Sequence, residues 1–257
     1  MVAAVPEDIP TLASISSDAF ESDAQTEMKG HGRAPFLMKE YALESLPGEI
    51  KNPRIRIIKA IEEETGAIMG FCTWGFRGLA PPDVPEADVD VDRASQQLEQ
   101  TTHSSPAQVQ PASGKEEDEE EKRTRDDPIA RLEDLTSRDL KDWQDTIMPE
   151  GASCLFIIGL SVSPAFQRRG VGSALLKWGT DLADKHKSYA WVHSSAGAWR
   201  AYANAGFKVV RVLDVDLDEY APVSAPVERY PGGKWGHYVF RYMVYGSCPL
   251  LGSAGRE

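Results

Sequence analysis

Residues 160–173 read Leu-Ser-Val-Ser-Pro-Ala-Phe-Gln-Arg-Arg-Gly-Val-Gly-Ser, and the fold is decided there. Upstream, residues 153–162 carry Leu155, Phe156, Ile157, Ile158 and Leu160 in a nearly continuous apolar run. Apolarity without alternation predicts a strand buried on both faces, and so a central one. Pro164 stops it, because proline cannot donate to a ladder. Downstream, Val171, Leu175, Trp178 and Leu182 recur at spacings of 4, 3 and 4, which predicts a helix over residues 170–185. A loop with two glycines and two arginines joins strand to helix. The first turn of a helix presents N–H groups without internal partners and the positive end of the helix dipole, an arrangement that binds phosphate. Gly170 and Gly172 let a diphosphate approach the backbone, and Arg168 and Arg169 add charge. The loop has neither the Lys-Ser/Thr pair of a P-loop nor the GxGxxG of a dinucleotide fold. A nucleoside triphosphate or NAD is therefore not the expected anion.

Outward from this stretch the pattern alternates. Residues 189–193 and 207–213 read as strands flanking a short helix over 196–205. A loop over 214–236 leads to a last strand over 238–245, and residues 246–257 read as a frayed tail. On the other side, residues 2–5 suggest a short strand. Ile9, Leu12, Ile15 and Ala19 mark the apolar face of a helix. A second helix over 35–46 should end at Pro47-Gly48. Strands over 54–61 and 67–76, turning at Thr65-Gly66, read as an antiparallel hairpin. Leu132, Leu135, Leu140, Trp143 and Ile147 predict an amphipathic helix leading into the central strand. The resulting class is α/β, a mixed sheet of about six to seven strands with helices on both faces. Residues 1–245 form one domain in this reading.

Within it, residues 79–131 read as a disordered acidic insertion. They hold Pro81-Pro82, a Gln/Ser/Thr-rich stretch and six consecutive acids at 116–121, too little apolar surface to offset chain ordering. A loose helix over 91–100 is the one regular element expected there. Acids outnumber bases 40 to 28 over the chain, a net charge of −12. Residues 83–134 hold 16 of those acids and 6 of the bases, so the remainder is nearly neutral. The sign argues against nucleic acid as a partner, which needs a basic face. Cys72, Cys154 and Cys248 are far apart and form no CxxC pair, so neither a disulfide framework nor a metal site is expected. No 18-residue apolar stretch occurs and no basic-then-apolar leader precedes the fold, so neither a membrane partner nor secretion is expected. The expected location is the cytoplasm, with the nucleus as an alternative.

Two motifs in register give the chain a family resemblance. Val162-Ser163-Pro164 followed by Gln167-Arg168-Arg169-Gly170-Val171-Gly172-Ser173 resembles the V-x-P…Q/R-x-x-G-x-G/A signature of the GNAT acetyltransferase superfamily. At the spacing that superfamily shows comes Tyr202-Ala203-Asn204-Ala205-Gly206-Phe207, a tyrosine four residues before Gly-Phe. The clear resemblance covers residues 153–213. It implies a GNAT-like sheet and an acetyl-CoA-dependent N-acetyltransferase, with a small-molecule or peptide amine as acceptor and no metal. It also implies how the co-substrate lies. The CoA pyrophosphate would rest on the amides from Arg168 to Ser173, and the pantetheine arm would pair with the backbone of Leu160, Ser161 and Val162. An amide facing the thioester oxygen would stabilise the developing oxyanion. Ser195 stands where many relatives have Asn, and offers the arm a smaller hydrogen-bonding group.

Acetyl transfer to an amine needs an acceptor freed of its proton, since a lysine-like ammonium titrates near ~10.4. The leaving thiolate gains from a proton donor. By the resemblance Tyr202 is that donor, a general acid. The base is open. Relatives often place Glu or His on the central strand, and residues 153–162 contain neither. His193 and Glu150 are the protein candidates; a water chain or an amine arriving neutral are the others. Trp74, Trp199, Tyr230 and Trp235 are candidate pocket walls, with Trp199 favouring the core. Asp216, Asp218, Glu219 and Glu228 are candidate carboxylates for a cationic acceptor. The missing base motivates an alternative: a non-catalytic acyl-CoA-binding or regulatory module on the same fold.

Overall fold

A computed structural model describes residues 1–82 and 127–248. The apolar run becomes β4 (Cys154–Val162), the fourth of seven strands in the order β1-β2-β3-β4-β5-β7-β6. The others are β1 (Val2–Ala3), β2 (Ile55–Ile61), β3 (Ile68–Arg77), β5 (Tyr189–Ser194), β6 (Lys208–Asp216) and β7 (His237–Tyr245). Every neighbouring pair is antiparallel except β4–β5, which is parallel. The expectation of a mixed sheet with a doubly covered central strand holds.

Side chains alternate between the two faces of a strand, and adjacent residues enter different cores. Ile58, Cys72, Leu155 and Val192 meet α5 (Val171–Lys185) and α6 (Trp199–Asn204) on one face. Their neighbours Ile57 and Phe71 turn to the opposite face, under α1 (Ile9–Phe20) and α3 (Met38–Lys51). Cys154 and Trp191 pack on that second face against Trp143 and Ile147 of α4 (Pro128–Ile147). A further cluster sets Met28, from the short α2 (Ala24–Lys29), with Leu132, Trp235 and Phe240. Close approach on the first face needs Gly179: a Cβ there would lie 2.2 Å from the Trp74 ring. Trp74 is thus core, not pocket wall.

Four expectations change. The second helix does not stop at Pro47-Gly48; α3 runs to Lys51 with Pro47 inside it. Proline deprives a carbonyl one turn earlier of its donor, that of Leu43, on the exposed side, while Leu46 and Ile50 keep the helix seated on the sheet. The helix α2 is additional: Asp23 caps it, its carboxylate accepting from the Thr26 amide at 3.0 Å. β6 extends to Asp216 because β7 pairs with it as far as His237. Finally, α4 begins at Pro128, with Asp127 as its cap accepting from the Ile129 amide at 2.9 Å. Residues 128–131 therefore belong to the folded domain, not to the insertion. The remaining expectations for residues 83–126, including the loose helix over 91–100, and for residues 249–257 lie outside the described residues.

Candidate active site

β4 and β5 pair only from Cys154–Tyr189 to Ile157–Val192. Past that point they separate, while the other edge of β4 stays on β3 as far as Val162–Gly70. The register on that edge slips between Thr73 and Trp74, which face Gly159 and Ile157. Ile158 is the unpaired extra residue of a bulge, a device that bends a strand and re-aims a side chain. It is 45% exposed within an otherwise apolar strand. The backbone from Ile158 to Val162 thus has one edge with no strand partner. A cleft of about 220 Å³ opens there through the sheet. Ile158, Gly159 and Leu160 form one wall, Val192, His193 and Ser195 another. Tyr202 closes it from the α6 side, and Phe20, Asp23, Phe36 and Phe240 from the opposite face.

The glycine loop stands at the end of β4. Gln167 folds back, its side-chain amide donating to the Val162 carbonyl at 3.1 Å. Arg168 and Gly170 have φ of 59° and 84°, left-handed conformations that favour glycine. The first helical bond of α5 runs from the Ala174 amide to the Gly170 carbonyl at 3.0 Å. The amides of Val171, Gly172 and Ser173 are therefore left for a ligand. Gly172 has room for a side chain, its Cβ position lying 3.7 Å from Val162, so packing does not demand glycine there. Arg168 is exposed, whereas Arg169 reaches Glu62 at 3.3 Å and lies over the Phe166 ring at 5.0 Å.

The catalytic candidates separate cleanly. Tyr202 is buried, edge-on to Phe207 at 5.9 Å, and among the described residues its hydroxyl has no partner. Burial, aided by nearby Cys72, pushes its phenol far above the ordinary value. His193 is stacked between Phe240 at 4.9 Å and Tyr242 at 4.6 Å, and its Nε2 is buried without a partner. Burial lowers it to about 4, Asp139 opposing and Arg211 assisting. Such an imidazole is a poor match for an ammonium near ~10.4. Glu150 is not brought to the cleft at all. It is exposed in a separate recess with Lys187 and Ser188, before the N-terminal end of β4. At ~3.3 Å per residue it lies up to roughly 25 Å along the strand from Ile158. Ser161 is buried, its hydroxyl 3.4 Å from that of Ser16, so only its backbone is free for a ligand.

Residues 139–207 match the family model described as Acetyltransferase (GNAT) family. The matched segment holds β4, the glycine loop and Tyr202, and the fold around it is GNAT-like. Solved structures of similar fold include a yellow fever mosquito protein named arylalkylamine N-acetyltransferase 7, with a TM-score of 0.54 and 14% identity over 95% of this chain and 85% of that one. A mosquito arylalkylamine N-acetyltransferase like 5b gives 0.52 and 16%, over 96% and 98%. The Drosophila melanogaster polyamine N-acetyltransferase, described as forming N-acetylagmatine, gives 0.50 and 15%, over 96% and 99%. No curated protein matches the chain by sequence. Among the described residues no helix is long and apolar enough to cross a membrane, and no cluster of metal-ligating side chains occurs.

None of the four loop carboxylates expected near the acceptor, Asp216, Asp218, Glu219 and Glu228, lines the cleft, and two of them serve the loop itself. Asp216 accepts from the Asp218 amide, and Asp218 from the amides of Trp235 and Gly236. Trp235 donates its indole N–H to the Val223 carbonyl at 2.8 Å, and Tyr230 its hydroxyl to Glu27 at 2.8 Å. Both rings buttress α2 from behind the cleft. The guanidinium groups of Arg200 and Arg241 lie 5.1 and 4.8 Å from the centre of the Trp199 ring. The residues missed on sequence are those that α1, the cap of α2 and the segment after α2 bring to the cleft: Phe20, Asp23 and Phe36. The Asp23 carboxylate accepts the Tyr238 hydroxyl at 2.7 Å. An Asp three residues before Thr26 was a readable cap, but its place at a cleft was not.

Proposed function

We propose that this domain transfers the acetyl group of acetyl-CoA to a primary amine by direct attack. The observation that carries the reading is the separation of β4 from β5, which opens one cleft between Tyr202 and the opposite face of the sheet, along the strand that leads into the glycine loop. The residues present suit the co-substrate. The amides of Val171, Gly172 and Ser173, with Arg168 beside them, suit a diphosphate. The open edge of Leu160, Ser161 and Val162 suits an amide-bearing arm, which pairs there as a strand would. Ser195 faces the same space. Bound in this way, acetyl-CoA supplies an activated acyl group.

The protein's own contribution is placement and proton supply. Tyr202 enters the reaction protonated, because burial holds its phenol neutral well beyond physiological pH. It presents that proton to the departing sulfur, whose thiolate would otherwise form unaided in an apolar wall. Backbone N–H groups on the open edge of β4 offer donors to developing negative charge. The acceptor is a small amine: the cleft is narrow, and the structural neighbours named above take their names from arylalkylamines and polyamines. Calorimetric titration with acetyl-CoA tests the reading at its first step. Saturable binding that Arg168→Ala weakens is expected; no heat at high micromolar co-substrate would overturn it.

A further inference from the structure

One edge of the sheet is a long strand with an open side. β6 ends the strand order and has β7 on one side only. Among the described residues, no backbone group from Lys208 to Asp216 bonds outside its ladder with β7. A row of unpaired N–H and carbonyl groups is a template for another strand. The opposite edge differs, because β1 has only 2 residues. β6 also exposes three valines: Val209 at 43%, Val210 at 41% and Val212 at 54%. Val209 and Val212 face Met243 and Arg241, two apart on β7, so they share one face of the sheet. The register slip against β7 falls at Val210, and from Arg211 to Asp216 the pairing is uninterrupted. Charge is sorted along the strand. Lys208 stands at its start, exposed and without an ion pair among the described residues. Asp214 stands near its end, exposed and bonded to His237 at 2.9 Å, with Asp216 beyond it. Arg211, between them, is held by Asp139 of α4.

We propose that β6 pairs antiparallel with β6 of a second copy of this chain, about a two-fold axis beside Val212, joining the two sheets into one. The inference is independent of the acetyl-transfer reading. A two-fold contact needs a surface that complements itself, and the order of residues on β6 supplies one. Antiparallel pairing about Val212 sets the Lys208 end of each copy beside the Asp214 end of the other. Opposite charges meeting across a ladder stabilise it, whereas like charges do the reverse. Parallel pairing would bring like ends together. The same arrangement sets Val212 against its own counterpart and takes the exposed valines out of water. Head-to-tail growth has no footing, since β1 is too short to receive β6, so the association closes at two copies. The cleft lies between β4 and β5, inboard of β7, and stays open in both copies.

Sedimentation equilibrium of the full chain over a dilution series tests the proposal. The wild type should sediment at twice the chain mass and fall to the chain mass on dilution. At the two-fold axis residue 212 meets its own copy, so a charge placed there repels itself whatever its sign. Val212→Lys should raise the dimer dissociation constant at least about a hundredfold. Val212 is 54% exposed in the single chain, so the monomer keeps its fold, read as an unchanged circular dichroism spectrum and melting curve. Lys208→Glu sets like charges beside Asp214 and should weaken the dimer about tenfold. Lys208→Glu with Asp214→Lys restores opposite signs and should recover the wild-type constant to within about threefold. A wild type that stays monomeric at the highest concentration overturns the proposal. So does a dimer that Val212→Lys and Lys208→Glu leave unchanged, which would associate through another face. A double variant no tighter than Lys208→Glu alone overturns the antiparallel pairing, and the proposal with it.

Discussion

Acid should destabilise this protein through one imidazole. His193 sits on β5 between Phe240 and Tyr242, and burial lowers it from 6.5 to about 4. The charged groups acting on it are Asp139 and Arg211, which oppose each other. A group whose folded pKa is depressed leaves stability intact above its unfolded value and removes it as pH falls toward the folded one. Here that window runs from about 6.5 down to about 4. Between pH 7 and pH 5 the unfolded chain protonates its imidazole and the folded chain does not, a loss of about 2 kcal/mol. His193→Phe keeps an aromatic ring in the stack and removes the proton site. Urea unfolding of both proteins at the two pH values gives the stability gap between them, in which the other titrations cancel. The gap should move by about 2 kcal/mol toward the variant at pH 5. A gap that is the same at both values would mean that His193 titrates normally, and that the burial argument is wrong.

Three further outcomes follow from the geometry. Gly170→Ala meets no neighbour but must hold φ near 84°; about 1–2 kcal/mol of stability should go in denaturant titration, with a matching loss of acetyl-CoA affinity. Asp8→Ala strips the partner, at 2.5 Å, from Lys59, whose side chain is only 4% exposed. Leaving that ammonium buried and unpaired should cost about 3–5 kcal/mol, read as a fall in melting temperature that Asp8→Asn reduces. Tyr202→Phe should lower turnover about a hundredfold with acetyl-CoA affinity unchanged by calorimetry; undiminished turnover would show that the sulfur departs without its proton.

The parts of the fold legible in sequence are those whose signal is local. β4 was readable because burial on two faces leaves a run with no polar interruption. The glycine loop was readable because a left-handed turn before a helix constrains residue type, and Tyr202 because a short helix before Gly-Phe fixes its register. The bulge was not: Ile158 is as apolar as its neighbours, and only the slip against β3 shows that it faces the cleft. The six residues of α2 carry one buried apolar side chain, Met28, too few for a period. Asp23 meets Tyr238 across 215 residues of chain, a contact that no pattern near either residue encodes. Glu150 illustrates the converse error. Proximity in sequence to the central strand suggested a role, but a strand carries its two ends far apart, and Glu150 lies at the wrong one.

The central claim is a chemical one, and thiol release from acetyl-CoA over a panel of small amines tests it most directly. The account predicts release with at least one small amine, strongly reduced in Tyr202→Phe. A protein that binds acetyl-CoA yet releases no thiol with any amine would be a binding module on this fold, and would contradict the account.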